Sequence, residues 1–333
     1  MNINHYIQAS QQLGEFLLSD NEELTAIIHK TSIYNSWFTI DNIHKSLRNI
    51  AIEMLNADKL TTWLNNYLID YTSIEPKKVG IVAAGNLPMV SFHDILCVIF
   101  SGHQLQIKLS EKDKILLPFI FEKWIAYLPE LKDKIEIVER LQNFDAVIAT
   151  GSNNSARYFD YYFSKYPNII RKNRNSVAIL DGTETEQQLV QLGYDIFDYF
   201  GLGCRNISKI FVPDNYDFAL LLKALKQHTY VEQHTPYMNN LDYQRTIYLM
   251  SQTKMLDINF INIVENSGYS SPIACLYYEF YSDKNIVLEK LKQDSELIQC
   301  FVATSAIEFG QTQKPSLFDY ADNIDTMLFL KNL

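Results

Sequence analysis

The stretch Val79-Gly80-Ile81-Val82-Ala83-Ala84-Gly85-Asn86-Leu87-Pro88 decides how this chain reads. A short apolar run closed by Gly-Asn-Leu-Pro, then a segment able to be helical to Phe100, reads as strand, tight turn, helix. The unit recurs downstream. Residues 103–109 fit a buried strand, 114–127 a helix, 134–138 a strand, and 146–149 a strand running into Thr150-Gly151-Ser152. Strands alternating with helices predict a parallel, doubly wound sheet, whose ligands bind beyond the carboxyl ends of its strands. Asn86, Lys108, Ser110 and Ser152 all fall at such ends, so the loops that carry them are expected to converge on one crevice.

Upstream, apolar residues at helical spacing (Ile7, Leu13, Phe16 and Leu17, then Ile50, Met54, Leu55 and Leu60) predict a helical packing layer over residues 1–70. Downstream, a second βα series starts at Ser176-Val177-Ala178-Ile179-Leu180. It continues through a helix over 186–200 and returns as a strand over 208–212, with Cys204 just before that strand. A chain of 333 residues, 47% hydrophobic, can bury a large core and favours two lobes.

Charge and cysteine usage narrow the function. With 29 Lys+Arg against 39 Asp+Glu the formal charge is −10, so no global positive field holds nucleic acid or an anionic membrane. The apolar runs fall short of the roughly 20 residues that span a bilayer. Cys97, Cys204, Cys275 and Cys300 form no Cys-x-x-Cys pair, and no leader pattern opens the sequence, so a reduced cytoplasmic protein is expected. The seven histidines show no His-Glu-x-x-His or other ligand spacing, and no metal site is expected. His93 and His103 are candidates for moving a proton, against the commoner structural role of a lone histidine.

Gly201-Leu202-Gly203-Cys204-Arg205 is the segment with the most chemistry. Its glycines leave the sulfur exposed and the backbone approachable, and Arg205 is an adjacent positive charge able to favour the thiolate. The alternative is a buried, inert thiol. Asn86 can aim an amide at a developing oxyanion or simply form the turn. Lys108, with Glu111 three residues on, is a ligand contact or a solvated charge. Thr150-Gly151-Ser152 offers amides and hydroxyls to a phosphate or ribose, although neither Gly-x-Gly-x-x-Gly nor a phosphate-loop lysine is present. The basic run Arg171-Lys172-Asn173-Arg174 reads as a solvated loop, with a phosphate clamp as the alternative.

Taken in order over residues 79–330, these motifs resemble the aldehyde dehydrogenase superfamily, and most closely its LuxC-type fatty acyl-CoA reductases. Ala84-Gly85-Asn86-Leu87-Pro88 is similar to the family's Asn-Phe-Pro turn, whose Asn helps form the oxyanion hole. Lys108-Leu109-Ser110-Glu111 is similar to the Lys-Pro-Ser-Glu segment that meets the adenosine ribose. Ala149-Thr150-Gly151-Ser152 resembles the Phe-Thr-Gly-Ser turn beneath the pyrophosphate, and Gly203-Cys204 the end of Gly-Gln-x-Cys, which bears the nucleophile. Phe309-Gly310-Gln311 resembles the C-terminal Phe-Gly-Gly turn. The segment 170–176 departs from the Glu-Leu-Gly-Gly-Lys pattern and carries no carboxylate to activate water for hydrolysis.

The resemblance implies an α/β, aldehyde-dehydrogenase-like fold of two doubly wound lobes with a helical N-terminal layer. The layer covers 1–75, a nicotinamide-cofactor lobe 76–178 joined by 305–333, and a catalytic lobe 179–304. It implies catalysis by Cys204 and Asn86, and cofactor binding by Lys108, Ser110, Glu111, Thr150, Gly151 and Ser152. The expected reaction reduces an acyl-CoA or acyl-protein thioester to an aldehyde, with NADPH as cofactor, NADH as the alternative, and CoA as leaving group. An acyl-transferase or synthetase is the partner such enzymes work with. A catalytically inactive cofactor- or acyl-binding subunit of the same fold is the competing reading.

Overall fold

The computed structural model describes residues 1–304 and 306–333; Ser305, with which the expected C-terminal segment begins, lies outside the described residues. Four helices open the chain: α1 (Ile3–Leu18), α2 (Glu22–Tyr34), α3 (Ile40–Glu53) and α4 (Ala57–Asn65). Each starts where a short polar side chain (Asn2, Asn21, Thr39, Asn56) accepts a first-turn backbone N–H that has no partner within the helix. Their apolar faces, including Leu13, Leu17, Ile50, Met54, Leu55 and Leu60, are buried in one core with residues of the first sheet and its helices.

That sheet is built from β1 (Lys78–Val82), α5 (Phe92–Phe100), β2 (Gln104–Lys108), α6 (Leu116–Tyr127), β3 (Ile135–Ile137), β4 (Ala146–Thr150), α7 (Asn153–Phe163) and β5 (Asn168–Arg171). Its strands lie in the order β3-β2-β1-β4-β5, all parallel. The order reverses between β1 and β4, the switch point at which open α/β sheets bind ligands. Val82 stands opposite both Lys108 and Ala149, so three strands stop at one level. Val79, Ile81, Ile107, Val147 and Ile148 are buried because helices cover both faces of a parallel sheet. For the same reason α5 is buried on every side, and its sequence is an apolar run rather than a stripe.

The second sheet follows from β6 (Asn175–Ile179), α8 (Glu186–Phe197), β7 (Ile207–Pro213), α9 (Ala219–Leu225), α10 (Thr235–Met250), β8 (Met255–Asp257), β9 (Asn262–Glu265), β10 (Cys275–Tyr281), α11 (Lys284–Gln293) and β11 (Ile298–Val302). Its order is β11-β6-β7-β10-β9-β8, parallel except for the β8–β9 pair. The chain closes with α12 (Thr326–Lys331). Two compact units result, Met1–Asn173 with Pro315–Leu333, and Arg174–Lys314. Among the described residues no helix is long and apolar enough to cross a membrane.

Two local expectations are corrected. The helix expected over 186–200 ends at Phe197, because Tyr199 and Phe200 are left-handed, with φ of 53° and 59°. The basic run is a solvated loop only at Lys172 and Asn173, because its two arginines are engaged within the fold. Arg171 closes β5 with its guanidinium buried, paired with Asp94 of α5 and donating to Thr326 Oγ1 of α12 at 2.8 Å. Arg174 donates to the carbonyl of Ser295 at 2.8 Å, leaving Lys172 as the exposed cation of the run.

A buried ion pair costs most when one partner is lost, since the other charge is stranded. Asp94→Ala or Arg171→Met is expected to lower the free energy of unfolding by about 3–5 kcal/mol, and Asp94→Leu with Arg171→Met to recover most of it. Denaturant titration of the three variants checks this; a double variant no more stable than the singles contradicts it.

Candidate active site

The carboxyl edge of the first sheet gathers seven of the expected residues. Lys108, the last residue of β2, is exposed, while its carbonyl accepts from Ala83 N at 3.0 Å and so carries the pairing one residue past β1. Gly85 comes next, packed against the loop after β2. A Cβ there would stand 2.2 Å from Ser110 Oγ, so only glycine lets the turn bearing half-buried Asn86 lie against Ser110. Ser46 of α3 donates to the Pro88 carbonyl at 2.8 Å and holds the turn from below.

One residue that the sequence reading passed over completes this turn. Asp113 is 1% exposed and accepts the N–H of Met89 at 3.0 Å; Met89 itself is left-handed, with φ of 60°. Burial pushes the Asp113 carboxyl up to about 6, against the lowering effect of the Met89 N–H. Its signal in the sequence is an acid three residues after Ser110, just ahead of an apolar helix.

Thr150 and Gly151 lead from β4 into α7, and Ser152 caps that helix by accepting from Ser155 N at 3.2 Å. A Cβ on Gly151 would meet Ser155 and Phe159 at 2.8 Å, so this glycine serves the packing of the turn. The N-terminus of α7 thus opens beside β1, at the switch point, with hydroxyls of Thr150, Ser152 and Ser110 and the Lys108 cation along the same edge. These donors suit a ligand with both phosphate and ribose groups. Glu111 is ion-paired with Lys114 at 2.7 Å. The two histidines weighed for proton transfer each bond a C-terminal carbonyl: His93 Nε2 that of Leu317 at 3.1 Å, and His103 Nε2 that of Leu330 at 2.9 Å.

Cys204 belongs to the second unit and sits at the amino end of β7. Gly203-Cys204-Arg205-Asn206 is a turn closed twice: Asn206 N donates to the Gly203 carbonyl at 3.0 Å, and Asn206 Oδ1 accepts from Gly203 N at 2.8 Å. Cys204 is therefore held at the tip, exposed, whereas Cys97 and Cys275 are buried and Cys300 half-buried. Ser176 of β6 donates to the Cys204 carbonyl at 2.9 Å and lies 3.1 Å from Cys300 Sγ.

The approach to this turn is strained. Tyr199, Phe200 and Gly201 (φ of 73°) form three successive left-handed residues, which costs roughly 1–2 kcal/mol at each non-glycine. Phe200 is stacked on His234, ring centroids 3.8 Å apart, and Asn206 Nδ2 donates to the carbonyls of Asp195 at 3.0 Å and Asp198 at 2.8 Å. Asp195, also passed over in the sequence, accepts from Gly310 N at 2.6 Å and from Thr312 N and Oγ1 at 3.0 and 2.7 Å. Burial pushes its carboxyl up to about 6, overcoming those bonds. Its trace in the sequence is an acid among the apolar residues Leu192, Ile196 and Phe197 of α8.

No protein-family profile and no curated protein matches this sequence. Solved structures do match. Aldehyde dehydrogenase 21 from Physcomitrella patens superposes with a TM-score of 0.65 at 12% identity, over 87% of this chain and 71% of its own. The NAD-dependent aldehyde dehydrogenase from Sinorhizobium meliloti gives 0.66 at 12% identity, over 95% of this chain and 73% of its own. An indole-3-acetaldehyde dehydrogenase, solved with NAD+, gives 0.61 at 12%, over 85% and 68%. The chain has the aldehyde dehydrogenase fold.

Asp113 and Asp195 both hold a proton more tightly when folded than an ordinary carboxyl does. The stability they contribute is complete below pH 4 or so and is lost as pH rises through about 6. Asp113→Asn keeps an oxygen for the Met89 N–H and removes the titration. Its stability relative to wild type is expected to be greater at pH 7.5 than at pH 4.5, in denaturant melts at the two pH values. An unchanged difference would contradict the assignment.

Proposed function

We propose that this chain reduces an acyl-CoA thioester to an aldehyde through an acyl-enzyme on Cys204, in the manner of LuxC-type reductases. The observation that carries this reading is the exposed Cys204 thiol at the tip of a twice-closed turn, in a chain with the aldehyde dehydrogenase fold. The absence of a carboxylate from residues 170–176 supports it, since passing an acyl group between sulfurs needs no base to activate water.

In this mechanism the Cys204 thiolate attacks the thioester carbonyl carbon. The developing oxyanion is met by the Asn86 side-chain amide and the Cys204 backbone N–H, and the carbon–sulfur bond to CoA breaks with CoA leaving as its thiolate. A reduced nicotinamide, when bound, would supply a hydride to the carbonyl carbon of the Cys204 thioester, leaving an alkoxide that the same two donors would hold. Cys204 then departs as a thiolate and the aldehyde is freed. Lys108, Ser110, Glu111, Thr150, Gly151 and Ser152 would hold the cofactor. NADPH is proposed, with NADH as the alternative; the NAD-dependence and the NAD+ complex of two structural relatives support the dinucleotide class. The setting proposed is the cytoplasm, with an acyl-protein thioester as a second donor and an acyl-transferase or synthetase as supplier.

Intact mass after mixing with acyl-CoAs of graded length, without cofactor, is the test. Wild type is expected to gain one acyl mass, Cys204→Ala none, and NADPH or NADH to discharge it. No adduct at any length, in protein that still binds cofactor, would favour the inactive binding subunit. Asn86→Ala is expected to slow acylation about 100-fold, the scale for one oxyanion donor. A loss below about threefold would remove Asn86 from that role.

A further inference from the structure

We infer that Asn206 is the positioning residue of the nucleophile turn, its side-chain amide fixing where Cys204 presents its sulfur. This rests on Cys204 being the acyl carrier. Asn206 is 3% exposed. Its amide makes bonds of two kinds at once: Oδ1 accepts from Gly203 N, and Nδ2 donates to the carbonyls of Asp195 and Asp198. The first closes the turn around Cys204. The second grips the end of α8 and the residue just before the left-handed pair Tyr199 and Phe200.

One planar group thus ties the strained approach to the reactive tip. Only an amide of this length can do so. Aspartate has the same shape but no donors, and would set a carboxylate against two carbonyls; alanine loses both connections. Ser176 holds the Cys204 carbonyl from β6, and Asp195 braces the α8 end against Gly310 and Thr312. Asn206 is where these supports meet the turn. It touches no reacting atom, so its effect falls on the rate at which a bound thioester is attacked rather than on how tightly it binds.

The test measures Cys204 in wild type, Asn206→Asp and Asn206→Ala by two reactions, alkylation by iodoacetamide and single-turnover acylation by an acyl-CoA titrated to saturation. Circular dichroism and thermal melting report the folded fraction. Per folded molecule, the limiting acylation rate is expected to fall at least about tenfold in both variants with the half-saturating concentration little changed, and alkylation to slow with it. A role in folding alone would reduce the folded fraction and leave the rate per folded molecule intact. Variants that alkylate and acylate within about threefold of wild type overturn the assignment.

Should both variants fail to fold, hydrogen exchange on wild type decides. Protection of the Gly203 amide on a par with the end of α8 supports the closed turn, and exchange at the rate of a free loop overturns it. Iodoacetamide needs no acyl-CoA chemistry. A wild type that alkylates but takes no acyl group therefore counts against the reductase reading, while the alkylation rates still decide for Asn206.

Discussion

Three parallel strands that stop at one level govern the first unit. Because Val82 of β1 is paired with Lys108 of β2 and Ala149 of β4, every chain leaving the sheet there begins from the same edge. Inside the sheet, helices on both faces leave no room for solvated polar groups, so these become affordable only past the strand ends. Asn86, Lys108, Ser110, Thr150 and Ser152 follow from that boundary. Loop chemistry then refines it: Gly85 lets two loops touch, and Ser152 turns the third into a helix N-terminus.

Cys204 obeys a different constraint. It precedes β7, at the amino edge of the second sheet, where the rule about carboxyl ends gives it no place. A residue there has no ladder partner ahead of Ile207, whose pairing with β6 starts opposite Ser176. Side chains supply what the ladder does not. Asn206 and Ser176 satisfy the N–H of Gly203 and the carbonyl of Cys204, so the backbone carrying the thiol is fixed on both sides.

What could be read in the sequence was what repeats along it. Alternating apolar runs and helical spacing marked β1 to β4, β6, β7 and the N-terminal helices, and glycine or serine at strand ends marked the turns, whereas β5 and the four strands after β7 went unread. What could not be read depends on partners remote in sequence. Arg171 looks like any basic loop residue until Asp94, 77 positions away, is seen to neutralise it. The helix over 186–200 was expected to run too far because Tyr199 and Phe200 are ordinary helical residues whose left-handed backbone is imposed by stacking on His234 and by Asn206. Asn206 and Ser176 act on backbone atoms of other residues, a role that leaves no pattern in composition or spacing, and Asp113 and Asp195 leave only the faint one of an acid beside apolar helical residues.

These residues share a physical problem. A left-handed residue points its N–H away from any ladder, and if that N–H is buried it must be met by something else. In the first unit Asp113 meets the N–H of left-handed Met89; in the second Asp195 meets that of Gly310, whose φ is 81°. An ionised oxygen makes the stronger bond to an N–H, but burying it costs more, and the upward push on both carboxyls shows that burial wins at each. Each turn is therefore held by a group whose own folded state is disfavoured at neutral pH. That expense is tolerable only where the geometry of a turn matters more than its stability, which is the situation of Asn86, three residues from Met89, and of α8, whose end is tied through Asn206 to the turn bearing Cys204.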